Sequence, residues 1–222
     1  MDPGVLWVLL QIVGLNLVLS ADNAMVIALA ARSLPRRQQK LAILYGSGGA
    51  MAVRIVLTLA AVELLRLPYL KLAGAVLLLW VAVKLLLPER KGPGAAAPSM
   101  SLASAVKTIL AADVMMSLDN VLAVAAAAKG NVALLVVGLA LSIPVVVFGS
   151  TVLVKVMERR PVIIALGAAL IGWVAGALAV TDPVVSDSID AAAPWLRWTA
   201  PAAGALLVVT LGTWLSARPL AK

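Results

Sequence analysis

The chain has 222 residues, of which 63% are hydrophobic and only 13% charged, with a mean hydropathy of +1.08. A soluble domain is about 45–50% apolar and about 25% charged, so this chain must face hydrocarbon over much of its surface. Cysteine and histidine are absent, which excludes disulfide frameworks, thiolate or imidazole metal sites and His-dependent catalysis; the net charge of +8 has no soluble basic face to occupy, so no nucleic-acid partner is expected.

A membrane-crossing helix needs about 20 mostly apolar residues. Seven windows meet that length: 5–31, 41–65, 68–87, 102–128, 131–154, 162–181 and 196–217. The first follows Met1-Asp2-Pro3 with no basic stretch, so a cleavable signal peptide is not expected. Residues 88–101, rich in Pro, Gly, Ala and Ser, read as a flexible linker. Thirteen of the 18 Lys and Arg residues fall in the connections after the first, third and fifth windows, on their flanks and in the tail. The opposite connections hold Arg66, Lys71, Lys129 and Arg197, with Asp182, Asp187 and Asp190. The positive-inside rule then puts the N-terminus outside and the C-terminus in the cytoplasm. Trp7, Trp195, Trp198 and Trp214 fall near span ends, as interfacial anchors do.

The two halves repeat. Ser20-Ala21-Asp22-Asn23-Ala24 matches Ser117-Leu118-Asp119-Asn120-Val121 at an offset of 97. Gly46 matches Gly138 at 92, and Pro68, Gly74, Trp80, Val81 and Ala82 match Pro161, Gly167, Trp173, Val174 and Ala175 at 93. The change of offset falls in the longer first connection, where a loop absorbs it. Chance similarity among Ala/Leu/Val helices would explain the Gly and Ala pairs, but not two S-x-D-N sequences each followed by W-V-A. Each unit has three spans, an odd number, so the second copy enters from the opposite side. The expected fold is an all-α membrane protein of seven transmembrane helices: a first three-helix repeat (1–87), a cytoplasmic linker (88–101), a second, inverted three-helix repeat (102–181), and an outer loop with a seventh helix (182–222). Inverted repeats of this kind are characteristic of secondary transporters that bind substrate near the midplane.

An Asp at a span centre costs about 2.5–3.5 kcal/mol, so Asp22, Asp113 and Asp119 need compensation. Arg54, the one basic residue deep in a span, is a candidate counter-ion but can pair with only one of them at a time; Glu63, nine residues on, lies on the opposite helix face. Asp113, Ser117 and Asn120 lie at i, i+4 and i+7 on one face, and Asn16, Ser20 and Asn23 repeat that spacing. Asp22 and Asp119 sit about 100° from these stripes and join them if the helix unwinds locally, which the capping residues Ser, Asp and Asn favour. By window depth, Asp22 and Asp113 lie about 6 and 3 Å to the cytoplasmic side of the centre and Asp119 about 6 Å to the outer side. Asp22 and Asp113 can therefore share an ion, with Asp119 as an exit position. Carboxylate, amide, hydroxyl and carbonyl oxygens favour hard divalent cations: Mg²⁺, Ca²⁺ or Mn²⁺. Met25, Met115 and Met116 adjoin the motifs; Met25 and Met116 are candidate soft ligands that would favour Mn²⁺, although Met commonly fills packing gaps.

The runs at 20–30 (SADNAMVIALA) and 113–125 (DVMMSLDNVLAVA), with the seven-span pattern, resemble the TerC family of integral membrane proteins, and in particular its bacterial YjbE-like branch within the lysine-exporter superfamily. The resemblance covers nearly the whole chain and puts the family's acidic motif positions on Asp22, Asn23, Asp113, Asp119 and Asn120. It implies a multi-pass protein of the bacterial cytoplasmic membrane and a role in Mn²⁺ efflux or in metal or tellurite resistance. The expected function is export of a divalent metal, Mn²⁺ foremost, with proton or sodium counter-transport and no resident cofactor. The alternatives are a lysine-type amino-acid exporter and a non-transporting membrane-assembly scaffold. An enzyme is not expected, since paired-Asp proteolysis gives no reason for the Asn neighbours.

Overall fold

The computed structural model describes residues 21–64, 67–87, 101–128 and 132–217, with side chains throughout except at 21, 61–64, 118–128 and 217. Trp7, Asn16, Ser20 and the linker residues 88–100 lie outside the described residues, as do the side chains of Glu63, Asp119 and Asn120. The secondary structure of the described residues is helical: α1 (Ala21–Ala31), α2 (Arg36–Leu64), α3 (Leu70–Leu86), α4 (Leu102–Ala128), α5 (Val132–Arg159), α6 (Val162–Val180), α7 (Ser186–Ala192) and α8 (Leu196–Ala217).

Local chemistry sets the boundaries. Pro35 and Pro161 cannot continue a preceding helix, but each sits just ahead of a new one, where its missing N–H has no cost. The carbonyl of Pro35 accepts from Gln39 N at 2.9 Å, and that of Pro161 from Ile164 N at 3.0 Å. Ser101 Oγ accepts from Ser104 N at 3.2 Å and caps α4. At the far end of α3, Arg32 Nη2 donates to Leu85 O at 2.8 Å, so a cation satisfies a terminal carbonyl and ties the end of α1 to the end of α3.

Among the described residues, four helices are long and apolar enough to cross a membrane: Arg36–Ala60, Val132–Arg159, Val162–Val180 and Leu196–Ser216. The chain is thus a multi-pass membrane protein. The windows at 102–128, 162–181 and 196–217 coincide with α4, α6 and α8 to within a residue. Those at 41–65 and 131–154 are too short at one end, because α2 begins at Arg36 and α5 runs to Arg159. Hydropathy marks where hydrocarbon ends; backbone hydrogen bonding continues beyond it, and basic side chains there reach outward to water.

From Val26 to Ala31 every residue of α1 is buried. A helix buried all round belongs at the centre, and α1 packs against α2, α4, α5 and α6. Apolar side chains on the outer helices, such as Val56, Val76, Phe148 and Leu206, are exposed and form the face offered to lipid. Several residues matched between the halves share an environment, although Val81 is buried and Val174 only partly so. Gly46 and Gly138 are buried, as are Gly74 and Gly167, and as are Ala82 and Ala175; Trp80 and Trp173 are both exposed.

Helix α8 packs chiefly on α6 through small residues. A Cβ on Gly172 would stand 2.5 Å from Gly204 O, one on Gly176 2.2 Å from Ala200 O, and one on Gly204 2.2 Å from Gly172 O. Gly172/Gly176 and Ala200/Gly204 are each four apart, the small-xxx-small spacing by which helices in lipid approach backbone to backbone. At the same end as the α6 C-terminus, Asp182 is fully buried. Its Oδ1 accepts from Tyr69 N (3.2 Å) and Val184 N (2.9 Å), and its Oδ2 from Lys71 N (3.1 Å) and Leu72 N (3.2 Å). It thereby caps α3 from a distant loop, where Tyr69 turns with φ 65°. Burial raises the Asp182 carboxyl pKa, but the four backbone donors outweigh it and hold the group below its ordinary 3.8.

Candidate ion-binding site

Four helices bring polar groups to one interior point. Arg54 of α2 and Asp113 of α4 are 7% and 4% exposed, and Arg54 Nη2 lies 2.7 Å from Asp113 Oδ1. Arg54 Nε donates to Ser117 Oγ at 3.2 Å, and the Ser117 hydroxyl donates to Asp113 Oδ2 at 3.3 Å. The three side chains close a ring. Asp113 and Ser117, one helical turn apart, supply one side of it, and a guanidinium fork supplies the other.

Beside the ring is a cavity of about 30 Å³, large enough for a water-sized guest. From α2 it is lined by Ser47, Ala50, Met51 and Arg54, and from α5 by Leu139, Ser142, Ile143 and Val146, each set at i, i+3, i+4 and i+7. Asn23 and Ile27 of α1 and Asp113 of α4 complete it. Asn23 and Ser142 are buried. Ser142 Oγ donates to Gly138 O at 3.1 Å. Ser47 is 5% exposed and its Oγ has no hydrogen-bond partner among the described residues; an unsatisfied buried hydroxyl at a cavity wall calls for an explanation.

Asp22, half-buried, accepts from Asn23 N at 2.8 Å and lies within electrostatic reach of both Arg54 and Asp113. Thus Asp22, Asn23, Asp113, Ser117 and Arg54 converge from distant parts of the chain. Among the described residues, no group of three or more acids stands close enough to form a metal cage. Asp119 and Asn120 belong to α4 by backbone only.

One sequence expectation needs adjustment here. The helix break expected around Ser117–Asn120 is absent: α4 is continuous from Leu102 to Ala128. Ser and Asp loosen a helix when they turn back on their own backbone, and here Asp113 and Ser117 are engaged by each other and by Arg54. Met25, Met115 and Met116 all make packing contacts. A Cβ on Gly167 would meet Met25 Sδ at 2.7 Å, one on Gly74 would meet Met115 Sδ at 2.6 Å, and Met116 is buried in the apolar core. Ser47 and Ser142 are site residues that the motifs did not single out. The available signal for Ser47 was its seven-residue spacing from Arg54, which puts both on one face of an apolar span.

The family model described as "Integral membrane protein TerC family" matches residues 1–220. The chain is 44% identical over 178 residues to "Uncharacterized membrane protein YjbE" of Bacillus subtilis, covering 80% of this chain and 81% of that protein. It is 26% identical over 193 residues to "Uncharacterized membrane protein YkoY" of the same organism, covering 78% of this chain and 60% of the relative. No solved structure matches it.

Proposed function

Because the chain belongs to the TerC family of integral membrane proteins, we propose that it is a secondary transporter exporting a divalent metal ion, Mn²⁺ foremost, across a bacterial cytoplasmic membrane. The proposal includes the seven-span, two-repeat architecture with the N-terminus outside. Its support is the neighbourhood of the helices. α1 lies against α6 and α3 against α4, α2 faces α5, and α3 faces α6, which is the pattern of contacts that two interlocked three-helix units produce.

The observation that carries the function is the Arg54–Asp113–Ser117 ring beside a small cavity whose largely apolar wall carries oxygens of Asn23, Ser47, Asp113 and Ser142. A buried pair of opposite charges contributes little net stability over apolar packing, so its presence in a lipid-embedded interior calls for another use. Arg54 acts as a tethered stand-in for the substrate. A metal ion entering from the cytoplasm takes carboxylate oxygens from Asp113 and Asp22, with Asn23, Ser117 and Ser47 as neutral oxygen donors. Two positive groups cannot share Asp113 at close range, so the ion displaces the guanidinium. The two repeats then rock about the site, the ion leaves past Asp119 and Asn120, and Arg54 returns to Asp113. Protons or sodium ions drive the return.

The test is growth under excess Mn²⁺ with matched protein levels: Asp113→Ala and Asp22→Ala should each lose Mn²⁺ tolerance while still inserting. Wild-type tolerance in either variant ends the proposal. A lysine-type exporter is the second reading, favoured by Asp113 already holding a nitrogen cation. The cavity size weighs against it, since about 30 Å³ admits an ion with little or no water and excludes an amino acid in this conformation. Equilibrium binding of Mn²⁺ against lysine separates them, and vesicle flux of either ion or amino acid separates both from a membrane-assembly scaffold.

A further inference from the structure

A second cavity lies between the same two helices, α2 and α5, that wall the small chamber. The small chamber takes residues 47–54 of α2 and 139–146 of α5; the second cavity takes residues 36–43 of α2 and 151–159 of α5. The two helices run antiparallel here, and the second cavity opens at the end where α2 begins and α5 finishes. It encloses about 730 Å³ and is lined by Arg36, Arg37, Lys40, Lys155 and Arg159 against the single acid Glu158.

The positive-inside rule accounts for basic residues at one end of a membrane protein. It does not account for their convergence from two helices onto one concavity, where like charges repel. An anion relieves that repulsion. The first turn of α2 adds the partial positive charge of its free N–H groups, and three of the five bases are arginines, whose forked donors match phosphate oxygens. The walls also include Ile43 and Val154, which are buried, while Leu44 and Val156 on the same stretches of α2 and α5 are exposed apolar side chains. A basic pocket with apolar surface on the same helix stretches suits a ligand that has a phosphate and a hydrocarbon tail; a free phosphate uses only half of it.

We infer that this cavity binds the headgroup phosphate of an anionic phospholipid from the leaflet it faces. The bound phosphate neutralises the basic end of the α2–α5 pair. Its consequence for cation passage rests on the transport function proposed above; the binding does not.

The experiment uses the full chain in neutral detergent, titrated with phosphatidylglycerol or phosphatidylcholine and read by native mass spectrometry and thermal unfolding. Phosphatidylglycerol should bind more tightly and raise the melting temperature, with the effect weakened by salt. Arg37→Gln with Lys155→Gln should weaken phosphatidylglycerol binding about 25-fold, at about fivefold for each base removed. Arg159→Gln alone should weaken it about fivefold, which keeps the test available if the double variant does not fold. Lys107→Gln, an exposed base on α4 outside the cavity, should leave binding unchanged. Equal retention of phosphatidylcholine, unchanged phosphatidylglycerol affinity in the cavity variants, or displacement of the lipid by inorganic phosphate at equal concentration would each overturn the inference.

Discussion

The molecule joins its helices in two opposite ways. Where α2 meets α4, the joint is a buried ion pair bridged by the Ser117 hydroxyl; where α6 meets α8, it is bare backbone, with no side chain at Gly172, Gly176 or Gly204 to separate the two. In lipid there is little hydrophobic gain from pressing helices together, so both joints depend on contacts that hydrocarbon cannot replace: charge in one case and close van der Waals approach in the other. They differ in what they allow. A guanidinium can leave a carboxylate when another cation arrives. A glycine seam has one good fit and resists sliding. On the proposed transport function, the polar joint is the place for exchange, and the glycine seam the place for a fixed frame.

The sharpest way to break this contrast is to remove half of the polar joint. Asp113→Ala leaves a buried guanidinium facing a cavity and should cost about 3–5 kcal/mol of stability, as breaking buried pairs does. Arg54→Leu with Asp113→Leu removes both charges and should regain most of that loss in thermal unfolding, while Mn²⁺ flux stays absent. If the double variant is as unstable as the single, the pair serves architecture and the division between exchange and frame fails.

These regions were unequally legible in the sequence. Asp113 and Ser117 were readable as partners because a one-turn spacing fixes them on a common face whatever the tertiary fold. Arg54 stood out because a base deep in an apolar span needs a counter-charge, but its choice of Asp113 depends on how α2 lies on α4, which no local pattern encodes. Ser47 was missed for the same reason: hydroxyls in membrane helices usually return to their own backbone, as Ser150 does to Val146 O at 2.8 Å, and only packing shows which one does not. The purpose of the last helix was also hidden, although Gly172/Gly176 and Ala200/Gly204 carried the right spacing. Small residues are common in such spans, so spacing alone does not say which pairs meet. Asp182 was read as a loop acid because three of its four backbone partners are more than a hundred residues away.

The glycine seam gives the next largest effect. Gly176→Val places side-chain atoms where Ala200 O now stands, and neither backbone can yield without parting the helices. The cost should reach the upper end of the about 1–3 kcal/mol typical of overpacking. Protease access to α8 should rise, while Mn²⁺ bound per surviving folded molecule should not change. Loss of binding in folded protein would mean that the frame and the exchange site are one unit.

Asp182 is a third kind of joint, fixed and polar, and it tests whether charge always signals exchange. Asp182→Asn keeps one acceptor oxygen and replaces the other with a donor facing N–H groups, which should cost about 1–2 kcal/mol. The folded carboxyl titrates below its ordinary 3.8, so its contribution is complete above that value and is lost as pH falls from there through the lower folded value. The gap between wild type and Asp182→Asn should therefore be constant over about pH 5–8 and close only in strong acid. A gap that changes near neutral pH would mean that the clamp is itself a switch.

The smallest effect has the opposite sign. Among the described residues, a Cβ at Gly48 or Gly149 would meet nothing within 4 Å, and both positions are helical, in α2 and α5. In a frame glycine, adding a methyl group separates helices; here it only removes backbone freedom, so Gly48→Ala and Gly149→Ala should stabilise by up to about 1 kcal/mol. The two helices are those that border the small chamber and the basic cavity, which gives these substitutions a second readout. If they stabilise the protein and also slow Mn²⁺ flux, the space beside each glycine is filled in another state of the transport cycle, and α2 and α5 are the helices that move. If they stabilise it and leave flux unchanged, the rocking surface lies elsewhere and the glycines are incidental to it.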